Sequence, residues 1–349
     1  MTEQKQETVK LNKNHGGKEF NNYFRFIGKV RKVQKKEDET WIDKPYFENT
    51  TTQTNKPRRV VQFNLETSKE NLLKVEQNGM EKEFAYAYSS SDRKSFRVNW
   101  ADRFDKSKFP NDSYHLMLPE WDMCEVLGAK LEDDIWVEVK GKYEFSTFDA
   151  GQGEMKLVKR MVTSIKPIEN GQEVKIGQAK VNYITDFDAP DFVEVNSFTM
   201  QVGILSTYQE EDSKDTKVNG VYLTYGKEKS TPQEVELIVP YKEPEAGKIS
   251  LADGFAKLNR LDFIQVQGVD NNRAEYTYIE VEEDNSDFNP FADVSEEDKK
   301  KQMKRVTSGT KKGLEVTAVV NNTYIKEMLT EEEVSNEVVI DISDDDLPF

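Results

Sequence analysis

Residues 23–31, Tyr23-Phe24-Arg25-Phe26-Ile27-Gly28-Lys29-Val30-Arg31, read as a β-strand. Phe24, Phe26, Gly28 and Val30 alternate with Tyr23, Arg25, Ile27, Lys29 and Arg31. A two-residue period sends alternate side chains to opposite faces of a sheet. One face is apolar; the other is mostly cationic, with one aromatic. The same period continues outward. After a polar loop over 35–56, a second strand buries Val61, Phe63 and Leu65. In Phe84-Ala85-Tyr86-Ala87-Tyr88, aromatics alternate with alanines, and the residues alone leave open which face is buried. A turn over Ser89–Lys94 leads to a returning strand with Phe96, Val98 and Trp100. Pro119 predicts a short helix through Ala129, packing Trp121, Val126 and Leu127. Ile135, Val137, Val139, Gly141, Tyr143 and Phe145 predict a long strand, and Gly151-Gln152-Gly153 a hairpin turn. Met155, Leu157, Met161 and Ile165 predict the strand that follows.

Three strand regions, a helix and two strands are the order of a five-stranded Greek-key barrel of the OB type. The order recurs: strands over 198–205, 221–225 and 235–239, a helical stretch over 251–261, and strands over 263–269 and 276–281. Short matches support a repeat: Val137-Glu-Val139-Lys-Gly141 with Ile264-Gln-Val266-Gln-Gly268, and Phe26-Ile-Gly28 with Gln201-Val-Gly203. The expected fold is mainly β, with two OB-like Greek-key barrels in tandem and a disordered acidic C-terminal tail. The expected divisions are a basic arm (1–19), a first OB-like domain (20–168), a linker (169–194) and a second OB-like domain (195–284). A charged linker (285–329) and the acidic tail (330–349) follow. In the charged linker, Leu314, Val316, Ala318 and Val320 predict a docked strand.

The chain carries 49 Lys and Arg against 65 Asp and Glu, a net charge of -16. The charge is uneven. Residues 1–36 hold ten Lys or Arg against three Glu, whereas 327–349 hold nine acidic residues and no Lys or Arg. A basic front can meet phosphates while the acidic end meets a basic partner. The single Cys124 excludes an internal disulfide, and no apolar stretch is long enough to cross a bilayer. With no secretory signal over Met1–Asn14, the expected compartment is the cytoplasm. Two histidines, His15 and His115, with no Cys-x-x-Cys and no phosphate loop, predict neither a catalytic residue nor a metal or cofactor.

Sequence-tolerant strand binding needs cations for phosphates and aromatic faces for bases. The first unit offers Tyr23, Arg25, Lys29 and Arg31 on one strand face. Its long loop offers Trp41, with Tyr46 and Phe47 nearby, and ends in Lys56, Arg58 and Arg59. Arg93, Lys94, Arg97 and Trp100 lie on the aromatic hairpin, and Phe148 lies beside the glycine turn. Phe24, Phe26, Phe63 and Tyr143 are expected in the core; for Tyr23, Trp41 and Phe148, core and contact stay open. The second unit is poorer, since Tyr208, Tyr222, Tyr225 and Lys227 lie near Glu210, Glu211 and Asp212.

The last six residues, Asp344-Asp345-Asp346-Leu347-Pro348-Phe349, resemble the C-terminal tip of bacterial single-stranded DNA-binding proteins. The resemblance implies a non-catalytic protein that protects single-stranded DNA during replication, recombination or repair. It implies that Phe349 enters an apolar pocket on a partner, with Asp344–Asp346 meeting Lys or Arg around it. The implied partners are single-stranded DNA and replication or repair proteins with such pockets; no membrane is implied, and homo-oligomerisation stays open. Two domains and a charged linker depart from the family's usual single OB domain and Gly/Gln/Pro-rich linker. The chain looks more like a phage or mobile-element version, placed at replicating DNA in a bacterial or infected-host cytoplasm. The alternative is an adaptor or inhibitor that occupies the same pockets without binding DNA.

Overall fold

The period-two runs become strands, and eleven of them share one hydrogen-bonded sheet in the computed structural model. The structure describes residues 9–13, 15–52, 54–149, 154–281 and 302–335. The expected turn Gly151–Gly153 and the tip Asp344–Phe349 lie outside these residues. In chain order the strands are β1 (Asn22–Arg31), β2 (Phe47–Thr51), β3 (Pro57–Ser68), β4 (Asn71–Met80), β5 (Trp136–Asp149) and β6 (Glu154–Pro167). They continue as β7 (Val195–Gln209), β8 (Thr216–Thr224), β9 (Thr231–Val239), β10 (Phe263–Val281) and β11 (Gln302–Val319). Their order is β5-β6-β4-β10-β11-β9-β8-β7-β1-β3-β2, and further pairings β5–β1, β4–β3 and β10–β7 fold the sheet back on itself.

The expectation of two OB-like barrels in tandem is corrected by this topology: the strands form a single mixed sheet. The reason is pairing between the halves. β7 runs antiparallel to β1, with Val195 opposite Ile27 and Met200 opposite Asn22. β10 meets β4 where Arg273 lies opposite Asn71. An unpaired strand edge is a template for any strand that reaches it. Hydrophobic alternation does not say which edges meet.

The short repeat has a structural counterpart. Register shifts at Lys140/Gly141 in β5 and at Gln267/Gly268 in β10. Phe24 lies opposite Gly141, and Phe198 opposite Gly268. A Cβ at Gly141 would sit 2.1 Å from the Met161 carbonyl oxygen and 2.3 Å from the Phe24 ring; one at Gly268 would sit 2.1 Å from the Glu315 carbonyl oxygen and 2.5 Å from Phe198. Only glycine admits so close an approach. Phe24 and Phe198 are themselves cross-strand partners where β1 meets β7.

A buried polar cluster ties the halves as well. Asp270 of β10 is fully buried. Its carboxylate accepts hydrogen bonds from Arg160 Nε (2.6 Å), Arg160 Nη2 (2.7 Å) and the Tyr143 hydroxyl (2.9 Å). Its backbone carbonyl accepts from Asn71 Nδ2 (3.1 Å) and Asn196 Nδ2 (2.8 Å). Burial opposes the Arg160 charge, yet pairing with Asp270 raises its pKa above the ordinary value. Burial first, and the Asp270 charge second, push the Tyr143 hydroxyl well up, so it stays a donor.

The helix expected after Pro119 forms as α1 (Glu120–Gly128), burying Trp121 and Leu127. Val126, expected to pack, is exposed. Cys124 is buried on α1, and burial pushes its thiol up to about 12, which keeps it protonated and unreactive at neutral pH. The stretch expected as a helix to Leu261 stops early, as α2 (Leu251–Phe255) with Ser250 as its cap; Leu261 itself adopts φ +72°.

Both ends of the described chain fold onto the second half. Thr330 and Glu333 form a reciprocal cap on α3 (Glu331–Val334), and Val334 is buried. The start of the expected disordered tail is therefore ordered. Lys18, from the expected basic arm, pairs with Glu333 at 2.7 Å. Asn12 Nδ2 donates to the Gly226 carbonyl at 3.2 Å. Gly17 N–H donates to His15 Nδ1, which places the ring proton on Nε2, facing the Gly226 carbonyl at 3.3 Å. Among the described residues, no helix is long and apolar enough to cross a membrane.

Candidate nucleic-acid interface

Between β4 and α1 the chain builds a separate three-stranded antiparallel sheet, ordered Lys94–Asn99, Phe84–Ser89, Tyr114–Met117. Its register settles the alternation left open in the sequence. Ala87 lies between Phe96 and Leu116, and Ala85 beside Val98. These residues form one small core with Phe109 and Tyr114. Alanine is the side chain that fits beneath the bulky neighbours of the two flanking strands.

The aromatics therefore face outward. Tyr86 is 52 % exposed and Tyr88 38 %. Across the strands, Tyr86 is flanked by Arg97 and Met117, and Tyr88 by Ser95 and His115. Arg97 stacks over the Phe84 ring with 4.1 Å from guanidinium carbon to centroid. This outer face carries two open phenol rings, a cation, an imidazole and a thioether, and no carboxylate along the paired positions. Arg93 stands exposed at the hairpin tip with φ +52°, and Lys94 beside it is exposed. Trp100 turns away at the end of the hairpin, half-buried against the small core, with Arg103 stacked 4.2 Å from its centroid. Arg103 is in turn held by Asp122 at 2.7 and 3.0 Å.

The remaining sequence candidates are spread out. The β1 face expected to be continuous is split, because Ile27 is covered by the hairpin Glu173–Ile176/Ala179–Asn182 and packs with Ile168, Val174, Tyr183 and Val195. On one side, Tyr23 is exposed and Arg25 pairs with Glu138 at 2.6 Å. On the other, Lys29 lies 3.6 Å from Asp134, and Arg31 pairs with both Glu66 and Asp134. Trp41 is 62 % exposed on the hairpin Gln34–Glu37/Thr40–Asp43, whose turn residues Asp38 and Glu39 both have positive φ. Tyr46 is held by Asp133. Lys56 is exposed and Arg58 half-buried at the start of β3. Arg59 is taken by Glu125 at 2.9 Å and stacks on Trp121, 4.5 Å from its centroid. Phe148 lies in β5 opposite Met155. Among the candidate cations, Arg93, Lys94 and Arg97 lie on the same small sheet as the two open rings Tyr86 and Tyr88. Sequence reasoning left the face of Tyr86 and Tyr88 open and did not single out His115 and Met117 as neighbours of those rings; the alanines between the aromatics were the signal. Among the described residues, no group of three or more His, Cys, Asp or Glu is placed to hold a metal ion.

A family model described as YorF matches residues 21–342. The chain belongs to the YorF family. The matched span of this YorF chain includes the hairpin sheet and stops before Asp344. No curated protein sequence matches the chain. Among solved structures, it is similar to the wild-type single-stranded DNA binding protein from Thermus aquaticus, at 13% identity and a TM-score of 0.35, covering 73% of this chain and 86% of that one. A deletion mutant of the same protein gives 13% identity and a TM-score of 0.36, over 73% and 88% of the two chains. Neither overlay assigns a residue of the YorF chain.

Proposed function

We propose that the chain binds single-stranded DNA without sequence preference, as a coating protein without catalytic activity. The observation that carries this reading is the outward face of the hairpin sheet, where Tyr86 and Tyr88 stand open beside Arg97. Every base has a π-face, so an aromatic platform stacks unpaired bases regardless of sequence, and adjacent cations neutralise phosphate. In a duplex those faces are already stacked, so single strands are preferred. An electrophoretic shift with an unstructured oligonucleotide, competed by duplex of equal length, tests the reading. Absence of any shift at low salt, or preference for duplex, overturns it.

The tip Asp344–Phe349 supplies the second part of the proposal, recruitment of replication, recombination or repair proteins. Phe349→Ala keeps every charge and removes the apolar anchor. It is expected to weaken capture of a partner with such a pocket at least tenfold, and to leave the oligonucleotide shift unchanged. Pull-down with an equal response from parent and variant would reduce the tip to an acidic extension. The net charge of -16 favours one second reading, an adaptor that fills the same pockets without touching DNA. That reading requires no oligonucleotide shift and full sensitivity to Phe349→Ala.

A further inference from the structure

A second cationic surface lies on the sheet itself. Strands β6, β5, β1 and β7 are consecutive neighbours. Tyr23 and Arg25 of β1, Lys140 and Lys142 of β5, and Lys166 of β6 line one side of an open groove of about 810 Å³. The hairpin Glu173–Ile176/Ala179–Asn182 forms the opposing wall and supplies Lys175. The wall is fixed in place: Val174 packs into the cluster with Ile27, and Arg25 Nη1 donates to the Lys175 carbonyl at 2.6 Å.

The charge of this groove runs against that of the chain. Five cations and two carboxylates line it, in a protein with 65 acidic and 49 basic residues. Both carboxylates are already engaged. Glu138 accepts from Arg25 at 2.6 Å and lies 3.5 Å from Lys140. Glu173 pairs at 2.7 Å with Lys180, which lies outside the lining. Lys142, Lys166 and Lys175 make no ion pair among the described residues, and all three are exposed. A concave surface with one sign of uncompensated charge concentrates the opposite ion. Tyr23, 51 % exposed, is its one open ring, so the groove is built for charge rather than for a row of stacked bases.

We propose that this groove is a track for the phosphodiester backbone of single-stranded DNA, distinct in chemistry from the tyrosine face of the hairpin sheet. The inference rests on the reading that the chain binds single strands. An abasic oligodeoxynucleotide, which keeps the phosphates and lacks the bases, separates the two surfaces. The full chain is titrated with a thymine oligonucleotide and with an abasic strand of equal length, across a salt series. Each neutralised phosphate contributes about 0.7 to the slope of log affinity against log salt on single strands. The combined variant Lys142→Ala/Lys166→Ala/Lys175→Ala is expected to reduce that slope by about 2 on both probes, and to weaken the abasic strand more than tenfold. The Lys→Arg version of the same three positions is expected to keep the slope. Tyr86→Ala/Tyr88→Ala is expected to weaken the thymine strand and leave the abasic strand unchanged. The groove proposal is overturned alone if the parent binds the thymine strand but the lysine variant keeps the parental slope, or if the parent ignores the abasic strand. If the parent binds neither probe, single-strand binding fails and the groove proposal with it.

Discussion

Asp270→Ala is expected to cost about 3–5 kcal/mol of stability, the range for removing one partner of a buried ion pair. The carboxylate is the acceptor for both Arg160 donors and for the Tyr143 hydroxyl. Its removal strands a guanidinium with 16% side-chain exposure and a phenol buried in the core. Neither can recover water without opening the sheet. Asp270→Leu combined with Arg160→Met is expected to be milder than Asp270→Ala, because no charge remains unpaired. Urea midpoints of the parent, the single variant and the double variant measure this. A loss under about 1 kcal/mol for Asp270→Ala would mean that water reaches Arg160 and the clamp is not closed. Because Tyr143 and Arg160 belong to one half and Asp270 to the other, the parent is expected to unfold both halves in one transition. Two separated transitions would show that neither this cluster nor the strand pairing couples the unfolding of the two halves.

Tyr86→Ala with Tyr88→Ala is expected to weaken single-strand binding by about 2 kcal/mol or more, roughly thirtyfold in Kd. The estimate takes about 1–3 kcal/mol per stacked base and at least one base on each ring. The fold should be unaffected, since the hairpin core lies on the alanine side. Phe substitutions at the same two positions keep the ring and should retain most of the affinity. Fluorescence anisotropy with a labelled oligonucleotide reads the change. Parental affinity in the double alanine variant, with an unchanged circular dichroism spectrum, would remove this face from the interface. A parallel control is Ala87→Tyr, which would place a large ring between Phe96 and Leu116. That substitution is expected to disrupt the hairpin sheet by overpacking.

Much of the local structure was legible because the relevant signals are local. The alternation in residues 23–31 produced β1, and the run around Val137 and Val139 produced β5. Pro119 opened α1 as expected. The short repeat ending in Gly141 and Gly268 was legible as a match, but the register shifts at the two glycines were not, because Phe24 and Phe198, which approach them, lie on other strands. The cations of β1 were correctly placed on one strand face, but their availability was not legible. Glu138, Asp134 and Glu66, which take Arg25, Lys29 and Arg31, come from other strands and loops. Their distance in sequence hides the pairing.

By itself the sequence determined where most of the alternating runs lie and which side chains share a strand face. Those follow from a period of two residues and from sterics within a few bonds of each position. It did not mark β4, the hairpin of residues 173–182, or the continuity of β10 across 263–281. Only the tertiary structure decided three further matters. It joined the two halves into one sheet, because β1 and β4 offered edges that β7 and β10 could reach. It turned Tyr86 and Tyr88 outward, because Phe96, Phe109 and Tyr114 filled the space above the alanines. It divided the cationic face of β1 at Ile27, because the hairpin of residues 173–182 brought its own apolar side chains to cover that position. In each case the deciding partner lies elsewhere in the chain, and the burial of apolar surface between distant segments selects the arrangement that no local pattern encodes.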